Sequence, residues 1–208
     1  MQFFVCAKRL LIFAIEVRRV PVRQTARAVV CACSAKMIPY DLKKVKAIAL
    51  DVDGVLSCNV VSLDASGQPC RTANIKDGYA LQLAARHGLQ IAIISGGKSK
   101  AVEERYAYLG IQHVYMGVSY KIDTFRKWCD EIGVSADEVV YMGDDIPDLP
   151  VMEACGCAAC PHDAAAEVRA AATYVSPYDG GHGCVRDVLE QIMRAHGTWA
   201  ASEKAFGW

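Results

Sequence analysis

The sequence predicts an α/β fold: a parallel sheet covered by helices on both faces. Three observations predict it. Strand signals and helix signals alternate along the body of the chain, the pattern of strand–helix–strand units. Glycine follows the helical stretches, at Gly88, Gly110 and Gly133, as it does where a helix stops in a left-handed residue. Polar residues gather where the apolar runs end, and open α/β sheets bind ligands at the carboxyl ends of their strands.

The first strand, roughly 45–52, is the apolar run Val45-Lys46-Ala47-Ile48-Ala49-Leu50, which leads into Asp51-Val52-Asp53-Gly54. Val60 and Val61, a turn at Asp64-Ala65-Ser66-Gly67 and a second arm over 68–75 predict a β-hairpin flap. A helix over 77–87 follows, then a strand over 90–94, a helix over 99–109, a short strand over 113–116 and a helix over 121–132. The remainder reads as a strand over 138–142, a helix over 147–154, a strand over 156–160, a helix over 164–172, a strand over 173–175 and a last helix over 184–196. The sequence has no internal repeat and no insertion long enough for a cap domain.

The 208 residues, 53% of them hydrophobic, suffice for one core. Net charge is zero, which argues against a nucleic-acid binder. That zero hides an asymmetry: residues 1–36 carry Lys8, Arg9, Arg18, Arg19, Arg23, Arg27 and Lys36 against Glu16 alone, so a basic head precedes an acidic body. The run Leu10-Leu11-Ile12-Phe13-Ala14-Ile15 is short for a signal peptide and soon meets Arg18-Arg19. The expected division is a disordered extension or upstream-start product over 1–36, one domain over 37–197 and a tail over 198–208. No stretch approaches the ~20 apolar residues of a transmembrane helix. The ten cysteines are scattered through apolar segments, as buried free thiols in a reducing compartment are. Cys157 and Cys160 form a lone Cys-x-x-Cys in what reads as a short buried strand.

Asp51 and Asp53 stand one residue apart at a strand end, where side chains i and i+2 point the same way. Two carboxylates converging there repel unless a cation lies between them or one holds a proton, and Mg²⁺ suits oxygen ligands. Gly54 lets the chain turn away. Ser95-Gly96-Gly97-Lys98 ends another strand and opens a helix, a setting for a phosphate oxygen. Lys121 starts a helix, where the macrodipole disfavours a cation; taken alone it reads as a solvated surface lysine, and the misfit is a mild sign of another role. Gly143-Asp144-Asp145-Ile146-Pro147-Asp148 places three acids after a buried strand. Four strand ends bearing Asp-x-Asp, a hydroxyl, a lysine and an acidic cluster describe a phosphoryl-transfer site.

In this order the motifs Asp51-Val52-Asp53-Gly54, Ser95, Lys121 and Gly143 to Asp148 resemble the haloacid dehalogenase superfamily of phosphatases, over about residues 44–196. Further marks are similar to its capless branch. They are the flap, Asp77-Gly78-Tyr79, Lys98-Ser99-Lys100 with Val102-Glu103-Glu104-Arg105, Leu109-Gly110-Ile111, and Gly180-Gly181-His182-Gly183-Cys184-Val185-Arg186-Asp187.

The resemblance implies a three-layer, Rossmann-like sheet without a cap domain. It implies a cytoplasmic, Mg²⁺-dependent phosphomonoesterase that releases 3-deoxy-D-manno-octulosonate from its 8-phosphate for lipopolysaccharide precursor synthesis. Asp51 would be the nucleophile and Asp53 the general acid/base, with Ser95 and Lys121 on the phosphoryl group. Asp51, the Asp53 carbonyl and Asp144 would bind Mg²⁺, supported by Asp145 and Asp148. Gly54, Gly96, Asp77, Arg105 and Gly181 would contact phosphate or substrate. The implied assembly is a homotetramer in which the flap and Gly180–Gly183 close a neighbour's site; neither nucleic acid nor membrane is an implied partner. One position departs from the pattern: the branch has arginine, or glutamate in enzymes of a nine-carbon sugar acid, where this chain has Gly97. The alternatives are therefore a phosphatase of another 2-keto-3-deoxy sugar acid and a non-catalytic module. Retention of both Asp51 and Asp53 speaks against the module, and the lack of a cap speaks against a phosphomutase.

Overall fold

The structure, a computed structural model, describes residues 37–201. The basic head over 1–36 and residues 202–208 of the expected tail lie outside the described residues. In chain order the elements are β1 (Ala47–Leu50), the flap strands β2 (Ser62–Leu63) and β3 (Pro69–Cys70), α1 (Ile75–Arg86), β4 (Gln90–Ser95), α2 (Lys100–Tyr108), β5 (His113–Met116) and α3 (Lys121–Ile132). They continue with β6 (Val139–Met142), α4 (Leu149–Ala154), β7 (Cys157–Cys160), α5 (Ala166–Ala171), β8 (Tyr174–Val175) and α6 (Cys184–Ala195). No helix among the described residues is long and apolar enough to cross a membrane.

Six strands form one parallel sheet in the order β5-β4-β1-β6-β7-β8. The chain leaves central β1 for β4 and β5 on one side, then returns to β6, β7 and β8 on the other. That reversal opens a crevice at the carboxyl end of β1. Register aligns the exits of three strands there, with Leu50 opposite both Ile93 and Met142.

β1 shows why the sheet has two cores. Ile48 and Leu50 face one side, packed with Leu81 of α1, Tyr106 of α2 and Val188 and Leu189 of α6. Ala47 and Ala49 face the other, where Phe125 and Trp128 of α3 and Val151 of α4 fill the space. Small residues on this face leave room for the α3 aromatics, both wholly buried.

Departures from the expected elements are local. β1 stops at Leu50, so Asp51 and Asp53 lie on the loop beyond it. The helix expected over 147–154 is a 3₁₀ turn, Ile146–Asp148, followed by α4. The flap strands are two residues each and exposed. Packing also continues past the expected boundary at 197: the Thr198 N–H donates to Met193 O at 2.8 Å, and Trp199 meets Tyr79 edge-on at 6.1 Å with Arg186 at 4.9 Å from its ring.

Asp77, expected to contact substrate, does something else. It is 2% exposed, and its Oδ1 accepts the N–H of Arg186 at 2.8 Å. Arg186 lies in the first turn of α6, whose own cap, Gly183, has no side chain to offer. Asp77 therefore caps α6 from α1. Its Oδ2 is buried without a hydrogen-bond partner. Burial pushes its carboxyl up to about 6, against the Arg186 N–H and charge. A folded-state pKa above the ordinary carboxylate value means that the native state holds the proton more tightly. Stability should fall as pH rises from the carboxylate range through about 6. Asp77→Asn is expected to flatten this slope, at most about 1.4 kcal/mol per pH unit, in urea unfolding across that range; an unchanged slope would refute the assignment.

Candidate active site

A cavity of about 390 Å³ opens at the crevice, lined by Asp51, Asp53, Gly54, Asn59, Ser95, Gly96, Gly97, Val118, Ser119, Lys121, Asp144, Asp145, Pro147 and Asp148. The carboxyl ends of β1, β4, β5 and β6, with the segments that follow them as far as the first residue of α3, supply all of these. The structure thus brings together most of the residues that the sequence singled out.

At its floor Asp51, Asp144 and Asp148 each offer a carboxylate oxygen, all within 4.8 Å of one another. Lys121 is buried among them, with Nζ 2.6 Å from Asp148 Oδ1 and 3.0 Å from Asp51 Oδ1. The contact with Asp51 is a close ion pair to a buried carboxylate oxygen. Burial, followed by the Asp148 charge, drives the Asp51 carboxyl up to about 7 although Lys121 opposes it. Burial with the charges of Asp51 and Asp148 drives Asp144 up to about 8. Burial would lower Lys121, but the two carboxylates outweigh it and hold it raised. Three acids and one lysine leave an excess of negative charge in a closed space. The donor set is all oxygen, and a hard divalent cation among the carboxylates fits it.

Asp148 is wholly buried and fully used: Oδ1 accepts from Lys121 Nζ and, at 2.5 Å, from the Tyr141 hydroxyl, while Oδ2 accepts the N–H groups of Asp144 and Asp145 at 3.1 and 3.3 Å. It shapes the acidic loop and holds Lys121 in place. Ser95 is 1% exposed and its Oγ accepts the Gly97 N–H at 3.2 Å. Gly54 has φ +80°, and a Cβ there would overlap the Asp144 carboxylate, so only glycine lets Asp144 close on the loop after β1.

Several expected residues are placed elsewhere than on the acidic floor. The Asp53 carboxylate does not join the acidic floor, because β1 has already ended and strand alternation no longer applies. It turns to the flap, where Arg71 Nε and Nη2 donate to its two oxygens at 2.7 and 2.8 Å. Arg105 lies outside the cavity lining; its Nη2 is 2.9 Å from where a Gly78 Cβ would sit. Gly181 is also outside it, with its N–H donating to Val55 O at 2.8 Å, and a Cβ on Gly180 would overlap the Gly54 carbonyl. The glycine-rich segment thus packs against its own chain's Gly54–Cys58 loop.

Sequence reasoning missed Arg71, Tyr141 and Asp163. Asp163 accepts from Asn59 at 2.9 Å and from the Gly180 N–H at 2.8 Å. A tyrosine within the apolar strand β6, one residue before Met142 and the acidic loop, was a readable signal for Tyr141. The short flap offered none for the direction in which Arg71 points.

An acidic floor, a buried lysine and a serine at the strand ends of a parallel sheet define a phosphoryl-transfer enzyme. A family model for haloacid dehalogenase-like hydrolases matches residues 111–187. The 3-deoxy-D-manno-octulosonate 8-phosphate phosphatase of Salmonella typhimurium is 35% identical over 83% of this chain and 93% of its own length. That of Escherichia coli K12 is 37% identical over 74% and 82%. A Moraxella catarrhalis structure of the same phosphatase, in complex with magnesium, phosphate and KDO, superposes with a TM-score of 0.71 at 32% identity, covering 74% of this chain and 89% of that one. The chain belongs to the haloacid dehalogenase-like hydrolases, in the family of 3-deoxy-D-manno-octulosonate 8-phosphate phosphatases.

Gly54→Ala is expected to lower divalent-cation affinity by at least ~10-fold, since second-sphere changes at metal sites have that scale. Calorimetric Mg²⁺ titration checks this, and unaltered affinity would separate Gly54 from the cation site.

Proposed function

We propose that this chain is a Mg²⁺-dependent phosphomonoesterase that hydrolyses 3-deoxy-D-manno-octulosonate 8-phosphate to the sugar acid and phosphate through an aspartyl-phosphate on Asp51. The observation that carries the reading is Lys121 buried between Asp51 and Asp148 at the floor of the cavity. That arrangement binds an anion beside a carboxylate only if further positive charge arrives.

Asp51, Asp144 and the Asp53 carbonyl would hold Mg²⁺, which when bound would supply that charge and favour the ionised Asp51. Asp145, which lines the same cavity, and Asp148, through Lys121 and the loop, would support them. Asp51 attacks phosphorus as the bond to the sugar oxygen breaks. Protonated on one oxygen while Arg71 holds the other, Asp53 would give that proton to the departing alkoxide. Lys121 and Ser95 hold the equatorial oxygens, and the turn at Gly96, ahead of α2, adds backbone donors. Asp53 then takes a proton from water, whose oxygen attacks the aspartyl-phosphate and frees Asp51 and phosphate. The carboxylate nucleophile thereby divides one hard displacement into two easier ones.

We further place the enzyme in the cytoplasm as a homotetramer. Val60 and Leu63 of the flap are 82% and 67% exposed, apolar surface that a second copy would cover. Sedimentation of the full chain tests the oligomer, and a monomer at all concentrations would end that part of the proposal.

Phosphate release from the eight-carbon ester, a nine-carbon analogue and a hexose phosphate, with and without Mg²⁺, tests the substrate. Mg²⁺-dependent preference for the eight-carbon ester is expected, and preference for the nine-carbon one would transfer the assignment. Asp51→Asn should abolish turnover with the fold intact. Asp53→Asn should slow the alkyl ester by ~10²–10⁴-fold; full steady-state activity in either variant removes its assigned role.

A further inference from the structure

Arg71 is the anomaly of the flap. The strands around it are exposed, yet the Arg71 side chain is only 8% exposed, whereas that of its partner Asp53 is 46% exposed. The guanidinium grips both Asp53 oxygens, at 2.7 and 2.8 Å, in the two-pronged geometry that arginine alone supplies. Next to it the flap is pinned: the Thr72 N–H donates to Ser57 Oγ at 2.9 Å and Thr72 Oγ1 accepts the Cys58 N–H at 3.1 Å.

Gly97 makes this placement possible. A Cβ at 97 would overlap Arg71 Nη2 and would lie 3.2 Å from Asp53 Oδ2. Gly97 and Asp53 both line the cavity, so the guanidinium fills the volume that a side chain at 97 would otherwise occupy. Nothing in the backbone of Gly97 calls for glycine: its φ lies outside the left-handed region.

We propose that Arg71 is a positioning residue for the reaction: from the flap it fixes the Asp53 carboxylate at the cavity wall, and Gly97 is the residue that makes room for it. The proposal rests on the reading of Asp53 as the acid/base group. A flap tied to that carboxylate couples flap geometry to the step in which a proton reaches the leaving oxygen. It also explains why the cavity does without a side chain at position 97.

The test compares Arg71→Ala, Gly97→Ala and the double variant on two phosphate monoesters, the octulosonate 8-phosphate and 4-nitrophenyl phosphate. The second has a leaving group that departs without a proton. Each single substitution should lower kcat on the alkyl ester by ~10–100-fold, the scale of a small misplacement of a reacting group, and by far less on the aryl ester. KM should stay within about threefold, since uniform binding is not what changes. The double variant should be no worse than Arg71→Ala, because both changes act through one contact. The Cβ at 97 meets the tip of a flexible side chain, so Gly97→Ala should fold even if Arg71→Ala does not. Multiplying effects, equal losses on both esters or a loss confined to KM would each overturn the proposal. Asp53→Asn on the same pair separates the two levels. If it shows no leaving-group dependence, the acid/base reading itself fails; if it does while the Arg71 and Gly97 variants do not, only this inference fails.

Discussion

A carboxylate sealed from water must find its donors in the protein, and Asp148 finds four. Two come from side chains, Lys121 and Tyr141, and two from the backbone of its own loop. The organisation of the acidic floor depends on this satisfied group. It joins the start of α3 to the exit of β6, and it holds Lys121 within reach of Asp51. An unpaired buried charge would cost several kcal/mol, so Asp148 and Lys121 are tied together whatever binds above them. The remaining imbalance, Asp51 and Asp144 with raised pKa values and one shared lysine, is what a divalent cation corrects.

The fold was legible because its signals are local. A strand of alternating Ala and large aliphatic residues, glycines after helices and acids at strand exits are written within a few positions of each other. Asp51, Ser95, Lys121 and Asp144 could be named for the same reason: each ends or closely follows a strand or opens a helix, and the parallel sheet aligns those ends. Contacts made across the chain were not legible. Asp77 was placed at the substrate by resemblance alone, and its partner lies at Arg186, on a helix formed at the end of the domain. Arg105 carried a chemically reasonable expectation, but nothing in a sequence says which side of α2 faces the cavity.

Asp53 lines the cavity beside Asp51 but points its carboxylate at the flap. Alternation along a strand is sound geometry, but it applies only while the strand lasts, and β1 ends at Leu50. Beyond it the direction of a side chain is set by tertiary partners, here an arginine in a two-strand flap. The same flap accounts for Gly97, whose missing side chain is a matter of volume already taken rather than of backbone freedom.

The close approach of the Gly180–Gly181 segment to the Gly54–Cys58 loop has a consequence for biosynthesis. Every acid of the floor is encoded before residue 149, yet the loop that carries the first of them, Asp51, is braced by a segment about 125 residues downstream of Gly54. Such distant contacts form late, because a long stretch of chain must be closed before they are made. A nascent chain emerging from the ribosome would carry all its reactive groups while lacking the wall that braces them. Competence would arrive only with the last helix, so a chain cut short before Gly180 would not acquire the braced site.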